Sequence, residues 1–441
     1  METKLERITQ LSRDNPDMVF TSIGHLINSK LLKECHAMMD GDKAVGIDGI
    51  TKEEYGRELD KNLEDLMDRM KRKAYHPKPA RLVEIPKDNG KTRPLSIYCY
   101  EDKLVQAALK RLLEAVFEPC FYEEMMGFRP NRGCHGALRL LNDQIGGHKT
   151  NWVLDADIRG FFDNIDHNWM MKFVESRIKD PRVLRLVTVM LKAGVVKDLS
   201  GFIPTEQGSG QGSVCSPILS LIYMHYVLMW WFHEIVEPSL KGYAGIVNYA
   251  DDFVVCFQYK WEAEAFYKRL KHRMEYFGLS LAEEKCRLIE FGRFAEANRK
   301  QRGQGKPETF DFLGFTHVCS RTREGKFKVL RKTSRKKFTK KCKEMHLKLG
   351  LMRTETTADI IKWVNQVLVG YYHYYGVRGN YSMIIKFRWN VLKSLHYWLN
   401  RRSQKKSYTW VGFLDMVTKG HPVVRPKSYY VVIWKRCQVI S

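Results

Sequence analysis

No run of apolar residues in this 441-residue chain is long and uninterrupted enough to read as a membrane span, which takes roughly 20 residues. The most apolar stretch, residues 216–235, is broken near its end by His233 and Glu234 and reads as a buried helix. Ten cysteines are scattered with no Cys-x-x-Cys pair. That excludes a zinc ribbon and a disulfide framework, and the expected compartment is a reducing cytoplasm. Residues 1–17 are polar and acid-containing, so no secretory leader is expected. Internal repeats and low-complexity tracts are absent. Acidic residues also run out along the chain. Residues 1–320 hold 46 Lys+Arg against 45 Asp+Glu, whereas residues 321–441 hold 28 against 5.

Nearly all of the net charge of +24 therefore lies in the last quarter. A globular segment that basic needs a polyanion, and a phosphate backbone supplies one. Aromatic and Gly-Tyr clusters are interleaved with the charge, unlike in a solvated tail.

The chain as a whole has ordinary globular composition, 44% hydrophobic and 28% charged, and its length suffices for two or three domains. Its patterning predicts an α+β fold. Residues 1–40 have helical spacing through Leu26, Ile27, Leu31 and Leu32. A helix capped by Thr51 is expected to carry Tyr55, Leu59, Leu63, Leu66 and Met70 on one face. Residues 80–98 read as a β-hairpin turning at Asp88-Asn89-Gly90, and residues 101–117 resume helical spacing. Residues 151–157 are a short strand, and Asp166 caps a helix through Trp169, Met170, Phe173 and Val174. Residues 246–257 are two β-prone runs meeting at an acidic pair. A composition change follows Phe315, and residues 332–349 form a basic helix striped by Phe338, Cys342, Met345 and Leu349.

Two acidic elements carry the chemistry. Asp251 and Asp252 stand between apolar strands, where anions are costly without a cation beside them. Oxygen-only ligands suit Mg²⁺. Alone, the pair reads equally as a hairpin turn in solvent. The second element, Asp155-Ala156-Asp157, also ends an apolar strand in acids. A strand-end Asp beside an Asp-Asp hairpin is a ligand set for two-metal phosphoryl transfer. Alternation puts Asp155 and Asp157 on one face, and spacing does not choose between them. Asp163 and Asp166 read as turn or capping residues.

The chain resembles the group II intron reverse transcriptase–maturases, and within them the compact class C type. The resemblance runs essentially end to end. It rests on Gly46-Ile-Asp48-Gly49, Ile85-Pro-Lys87, Lys91-Thr-Arg93-Pro-Leu95, Gly127-Phe-Arg129-Pro-Asn-Arg132 and Ala156-Asp157-Ile158. It continues through Gln211-Gly212-Ser-Val-Cys-Ser216-Pro217, Tyr249-Ala-Asp-Asp252, Gly278-Leu-Ser-Leu281, Glu284-Lys285, Phe312-Leu-Gly-Phe315, Gly370-Tyr-Tyr-His-Tyr-Tyr375 and the run Arg401 to Trp410.

The resemblance implies a right-hand polymerase: an N-terminal extension (1–45), fingers and palm (46–320), and a helical thumb and maturase X domain (321–441). It implies an RNA-directed DNA polymerase of a bacterial cytoplasm. Such an enzyme copies an RNA template from a DNA primer with deoxynucleoside triphosphates, and assists splicing and retrohoming of its intron RNA. It favours Asp157 over Asp155, and sets Asp157, Ile158, Asp251 and Asp252 around two Mg²⁺ ions, for which Mn²⁺ can substitute. Phe162 resembles a steric gate against the 2′-hydroxyl, with core-like Phe161 beside it. Lys87, Arg93 and Gln211 are implied to contact the incoming nucleotide, with Lys91 a solvated alternative. Arg129, Arg132, Lys285, Leu313 and Gly314 are implied to contact template and primer. Lys336, Lys340, Arg401, Arg402, Lys405 and Lys406 are the candidate RNA patch. The chain stops at Ser441 without the Cys/His ligands of the endonuclease domain of larger relatives, so no second-strand cleavage is expected. A binding-only maturase and an RNA-dependent RNA polymerase are the competing readings. The intact acids oppose the first, and Phe162 opposes the second.

Overall fold

The computed structural model describes residues 2–86, 92–197, 201–402 and 407–427. The chain divides into two compact units, residues 1–140 with 154–288, and residues 141–153 with 289–441.

The first unit opens with helices α1 (Glu2–Asp14) and α2 (Ser29–Met38). Both pack on a later helix, α5, so the N-terminal residues share this unit's core. The single helix expected after Thr51 is two, α3 (Lys52–Arg57) and α4 (Leu59–Lys71), broken at Glu58. Thr51 and Glu54 do form a reciprocal capping box at the start of α3. The expected hairpin is present as β1 (Ala80–Pro86) and β2 (Thr92–Ile97), antiparallel in register Arg81↔Ile97 through Pro86↔Thr92. Helix α5 (Tyr100–Phe117) follows, then helix α6 (Cys134–Gly147) and strand β3 (Trp152–Asp157), of which residues 141–153 are counted with the second unit.

Helix α7 (His167–Glu175) begins where Asp166 accepts a 2.8 Å bond from the Trp169 amide, as the sequence predicts. It is followed by α8 (Pro181–Leu191) and the short strands β4 (Val195–Val196) and β5 (Phe202–Ile203). Helix α9 (Ser216–Met224) continues through wider π-type turns to Val236, and its core is the expected apolar run. Strands β6 (Ala244–Tyr249) and β7 (Asp252–Phe257) form the predicted acidic hairpin, followed by α10 (Lys260–Tyr276) and β8 (Arg287–Glu290). Two four-stranded sheets result, ordered β2-β1-β4-β5 and β6-β7-β3-β8. The second sheet sets β3 beside β7, so two separate acidic segments enter neighbouring strands.

The second unit contains α11 (Ala295–Gln301) and a sheet of β9 (Phe310–Phe312), β10 (Phe315–Arg321) and β11 (Phe327–Thr333). Helices α12 (Arg335–Leu351), α13 (Thr357–Tyr375), α14 (Tyr381–Leu399) and α15 (Trp410–Asp415) follow. Met345 and Leu349 of α12 are buried in a core with Ile361, Val364, Phe387 and Leu395, and Phe338 and Cys342 pack at its edge. The predicted stripe is thus the buried face, and the lysines between its members lie outward or at the margin. No helix among the described residues is long and apolar enough to cross a membrane.

Candidate active site

The acidic hairpin closes in two residues. Tyr249 pairs with Asp252, leaving Ala250 and Asp251 as the loop. Ala250 sits at φ +59, a conformation that L-residues seldom adopt. Local bonds hold it there: the Asn248 side-chain amide donates to the Ala250 carbonyl at 2.8 Å, fully buried. Segment 124–127 also runs alongside β6, with Asn248 N–H on the Glu124 carbonyl and Met126 N–H on the Asn248 carbonyl. The turn is therefore braced from within and from a neighbouring segment.

Asp157 ends β3 next to this hairpin. Burial raises the Asp251 carboxyl above its ordinary 3.8, and repulsion from Asp157 adds to that, while Arg93 and Lys285 oppose it. The charge of Asp157 thus reaches Asp251. The Lys285 ammonium is ion-paired with the Asp157 carboxylate, and that contact is the main reason its pKa is raised. As the side chains stand, no three acidic, His or Cys groups among the described residues converge closely enough to hold an ion. The donor set still suits a hard divalent cation: carboxylate oxygens only, one of them destabilised by burial and by a like charge. Lys285 supplies part of the positive charge that such an ion would bring.

Ile158 is buried and bridges Leu281. The bridging bonds are made by the Arg159 N–H to Ser280 and the Ala282 N–H to Asp157. The bridge does not consume the Ile158 carbonyl.

The segment after Asp157 turns at Gly160, φ +53, into Phe161-Phe162-Asp163. Phe161 is 2% exposed and packs edge-on to Tyr223. The ring is core, as the sequence suggested, and any nucleotide contact from Phe161 would come from its backbone. Phe162 is half-buried. Its carbonyl accepts the Ser209 N–H at 2.7 Å, and Gly208 N–H reaches Ile165 at 2.7 Å. On the other side the same loop bonds β2 through Ser96 N–H to the Gln211 carbonyl at 2.7 Å. Gly212, at φ +112, passes so near that a β-carbon would lie 2.5 Å from the Ser96 carbonyl oxygen. Between these anchors the Gln211 side chain takes a bond from Arg93 Nε at 2.5 Å and gives one to Asp163 at 2.9 Å. Arg93, Gln211 and Phe162 are thereby gathered at one place. Asp163, read from sequence as a turn residue, belongs with them; adjacency to Phe162 was the only signal for it.

Other assignments fare differently. Arg129 is 6% exposed, and its guanidinium is fully engaged by Glu118 at 3.0 Å and by the carbonyls of Tyr122 and Met125 at 2.6 and 3.0 Å. It is a structural residue braced inside the protein, which corrects its assignment to template phosphate. Arg132 lies nearer the surface, paired with exposed Glu123 at 2.6 Å. Lys87, Lys405 and Lys406 lie outside the described residues.

In the second unit, Leu313 and Gly314 are the two-residue turn joining β9 to β10, at φ +48 and +78. Positive φ at both central positions is the hairpin geometry that matches strand twist. The Tyr374 hydroxyl donates to the Leu313 carbonyl at 2.9 Å. Tyr374 also lines a groove with Tyr371, Tyr375, Lys337, Lys340 and Lys341, which places tyrosines of α13 opposite lysines of α12. Lys336 is exposed on the same helix. Arg401 lies 4.1 Å over the Tyr397 ring and is exposed. Arg402 bonds the Glu355 carbonyl at 2.7 Å and the Thr357 hydroxyl at 3.1 Å, tying it to the start of α13.

The sequence pattern of the reverse transcriptase (RNA-dependent DNA polymerase) family matches residues 85–317. This chain belongs to that family. The match takes in β2, both acidic elements and the Leu313–Gly314 turn. The family implies a right-hand polymerase fold, in keeping with the mixed helices and sheets seen here, and divalent-metal chemistry. The group II intron-encoded protein LtrA of Lactococcus lactis subsp. cremoris is 34% identical over 223 residues, 50% of this chain and 37% of that protein. The chain therefore spans well under two thirds of that relative. Protein YkfC of Escherichia coli (strain K12) is 31% identical over 320 residues, 66% of this chain and 80% of that protein. The nuclear intron maturase 1, mitochondrial, of Arabidopsis thaliana is 30% identical over 93 residues, 21% of this chain and 13% of that protein. Over parts of its length the chain is thus similar to a group II intron-encoded protein and to an intron maturase.

Proposed function

We propose that this chain is the RNA-directed DNA polymerase of a group II intron, acting in a bacterial cytoplasm. It copies RNA into cDNA and assists splicing and retrohoming of the intron RNA. The observation that carries the reading is the strand order, which sets β3, ending in Asp157, beside β7, which opens with Asp252 of the acidic hairpin. Asp157, Asp251, Asp252 and the Ile158 main chain would hold two Mg²⁺ ions, with Mn²⁺ as a substitute. Such a pair activates the attacking 3′-hydroxyl and stabilises the leaving pyrophosphate.

The protein's own groups do the rest. Arg93, with Lys87, offsets the triphosphate charge. Phe162 stands where a 2′-hydroxyl would overlap its ring, a discrimination by shape. Gln211 lies beside the incoming base pair, and Lys285 and Arg132 serve primer and template phosphates. The Leu313–Gly314 turn supports the primer end. The basic and aromatic groove of α12 and α13, with Lys336, Lys340, Arg401 and Arg402, binds the RNA/DNA duplex and the intron RNA as a thumb and X domain over residues 321–441. Residues 46–320 are the fingers and palm.

The test is extension of a DNA primer on poly(rA) with Mg²⁺, comparing dTTP with UTP. Extension with dTTP is expected, and none from the Asp251→Ala variant, which keeps its affinity for RNA. The Phe162→Ala variant is expected to use UTP more readily. RNA binding without any extension by the unaltered chain would instead favour a binding-only maturase.

A further inference from the structure

The Gln211 amide has an orientation that its neighbours dictate. Arginine donates only, so Arg93 Nε, at 2.5 Å, must face the amide oxygen. An ionised aspartate accepts only, so Asp163 Oδ1, at 2.9 Å, must face the amide nitrogen. Flipping the amide would break both bonds at once. Asp163 takes one of the two amide protons, and the other remains for a further acceptor. The loop carrying Gln211 is anchored separately, by main-chain bonds to Phe162, Ile165 and Ser96. The Asp163 side chain thus governs the direction of the Gln211 amide more than the position of the loop.

We propose that Asp163 is a positioning residue that sets the Gln211 amide for selection of the incoming base. The inference rests on the polymerase reading above. Phe162 is held by its own main-chain bond to Ser209 and by packing against Phe161, neither of which involves the Asp163 carboxylate. Base selection and sugar selection are therefore separable at this turn, although Phe162 and Asp163 are adjacent.

The experiment compares Asp163→Ala and Asp163→Asn with the unaltered chain in single-nucleotide insertion on an RNA template. Asparagine keeps an acceptor for the Gln211 amide, and alanine does not. The expected result for Asp163→Ala is a misinsertion frequency raised about tenfold and a higher KM for the correct dNTP, with discrimination against ribonucleotides within twofold of the original. Asp163→Asn is expected to restore most of the base selectivity. Two outcomes overturn the proposal: Asp163→Asn as defective as Asp163→Ala, or ribonucleotide discrimination falling in parallel, which would mean the whole turn had loosened. A second measurement needs no catalysis. Thermal melts of Asp163→Ala, Gln211→Ala and the double variant should show non-additive shifts; additive shifts would sink the link. If the unaltered chain extends no primer, the polymerase reading falls, and the melts alone decide whether the two side chains are coupled.

Discussion

Gly127 lies so close to Ala250 that a β-carbon on it would sit 2.6 Å from the Ala250 backbone nitrogen and 3.1 Å from the Tyr249 carbonyl carbon. Both neighbours are main chain, so neither can swing aside. The glycine lets the segment before α6 brace the acidic turn. Gly127→Ala is expected to cost about 1–3 kcal/mol, the usual penalty for overpacking. Moving the turn by even ~1 Å would slow extension on the order of 100-fold. Denaturant unfolding and single-turnover extension measure the two effects. Full activity in a Gly127→Ala chain would show that the brace is dispensable.

Asp251 gives a prediction with a definite sign. Its carboxyl titrates above the ordinary 3.8, chiefly through burial and then through Asp157. A carboxyl raised in the folded state contributes stability that is complete below its unfolded pKa and lost as pH rises through its folded pKa. At pH 7 without metal the ionised group is therefore a net cost. Asp251→Asn is expected to melt higher than the unaltered chain at pH 7, with the advantage shrinking towards pH 4. Added Mg²⁺ should raise the melting temperature of the unaltered chain and have little effect on the variant. Equal melting at pH 7 would remove the electrostatic argument for a cation here.

These two residues show what the sequence made legible. The hairpin at Tyr249–Asp252, the strand ending in Asp157 and the cap at Asp166 are local: alternation, turn length and capping write each into a few consecutive residues. The break at Glu58 was not legible, because the apolar spacing from Tyr55 to Met70 runs through it without interruption. Nor were the partners of long side chains. Lys285 lies 128 positions from Asp157, and Gln211 lies 48 from Asp163, distances over which spacing carries no information. The choice between Asp155 and Asp157 rests on the family resemblance, since both lie on one face of β3 and alternation does not separate them.

Arg129 shows how a motif misleads when burial is unknown. Two arginines around a Pro-Asn turn look like phosphate ligands, yet only Arg132 lies near the surface. Truncating Arg129 leaves the Glu118 carboxylate and two carbonyls without their donor. Arg129→Ala is expected to destabilise the fold by about 3–5 kcal/mol, as for a broken buried pair. At temperatures where the variant stays folded, the salt dependence of its template–primer affinity should match that of the unaltered chain. Unchanged stability with weaker binding would return Arg129 to the template.

The basic segment makes its prediction through salt. Residues 321–441 carry 28 cations against 5 acids, and on α12 the Lys337, Lys340 and Lys341 side chains border a tyrosine-lined groove. Each phosphate that such a surface neutralises releases counterions, so log K should fall linearly with log salt concentration, by about 0.7–0.9 for every contact. Lys340 and Lys341 also pair with Glu344 at 3.7 and 3.3 Å, so part of their charge is already answered within the helix. Exposed Lys336 has no such neighbour one turn on, since position 340 is another lysine. Lys336→Gln is therefore expected to flatten the salt slope by a full contact, about 1, and Lys340→Gln by less. Both should leave the melting temperature nearly unchanged, because neither side chain is in the core. Affinities of the two variants for an RNA/DNA duplex, measured between 50 mM and 200 mM salt, the range over which counterion release dominates, compare the slopes directly. Slopes identical to that of the unaltered chain would move the duplex off α12 and onto other cations of the second unit.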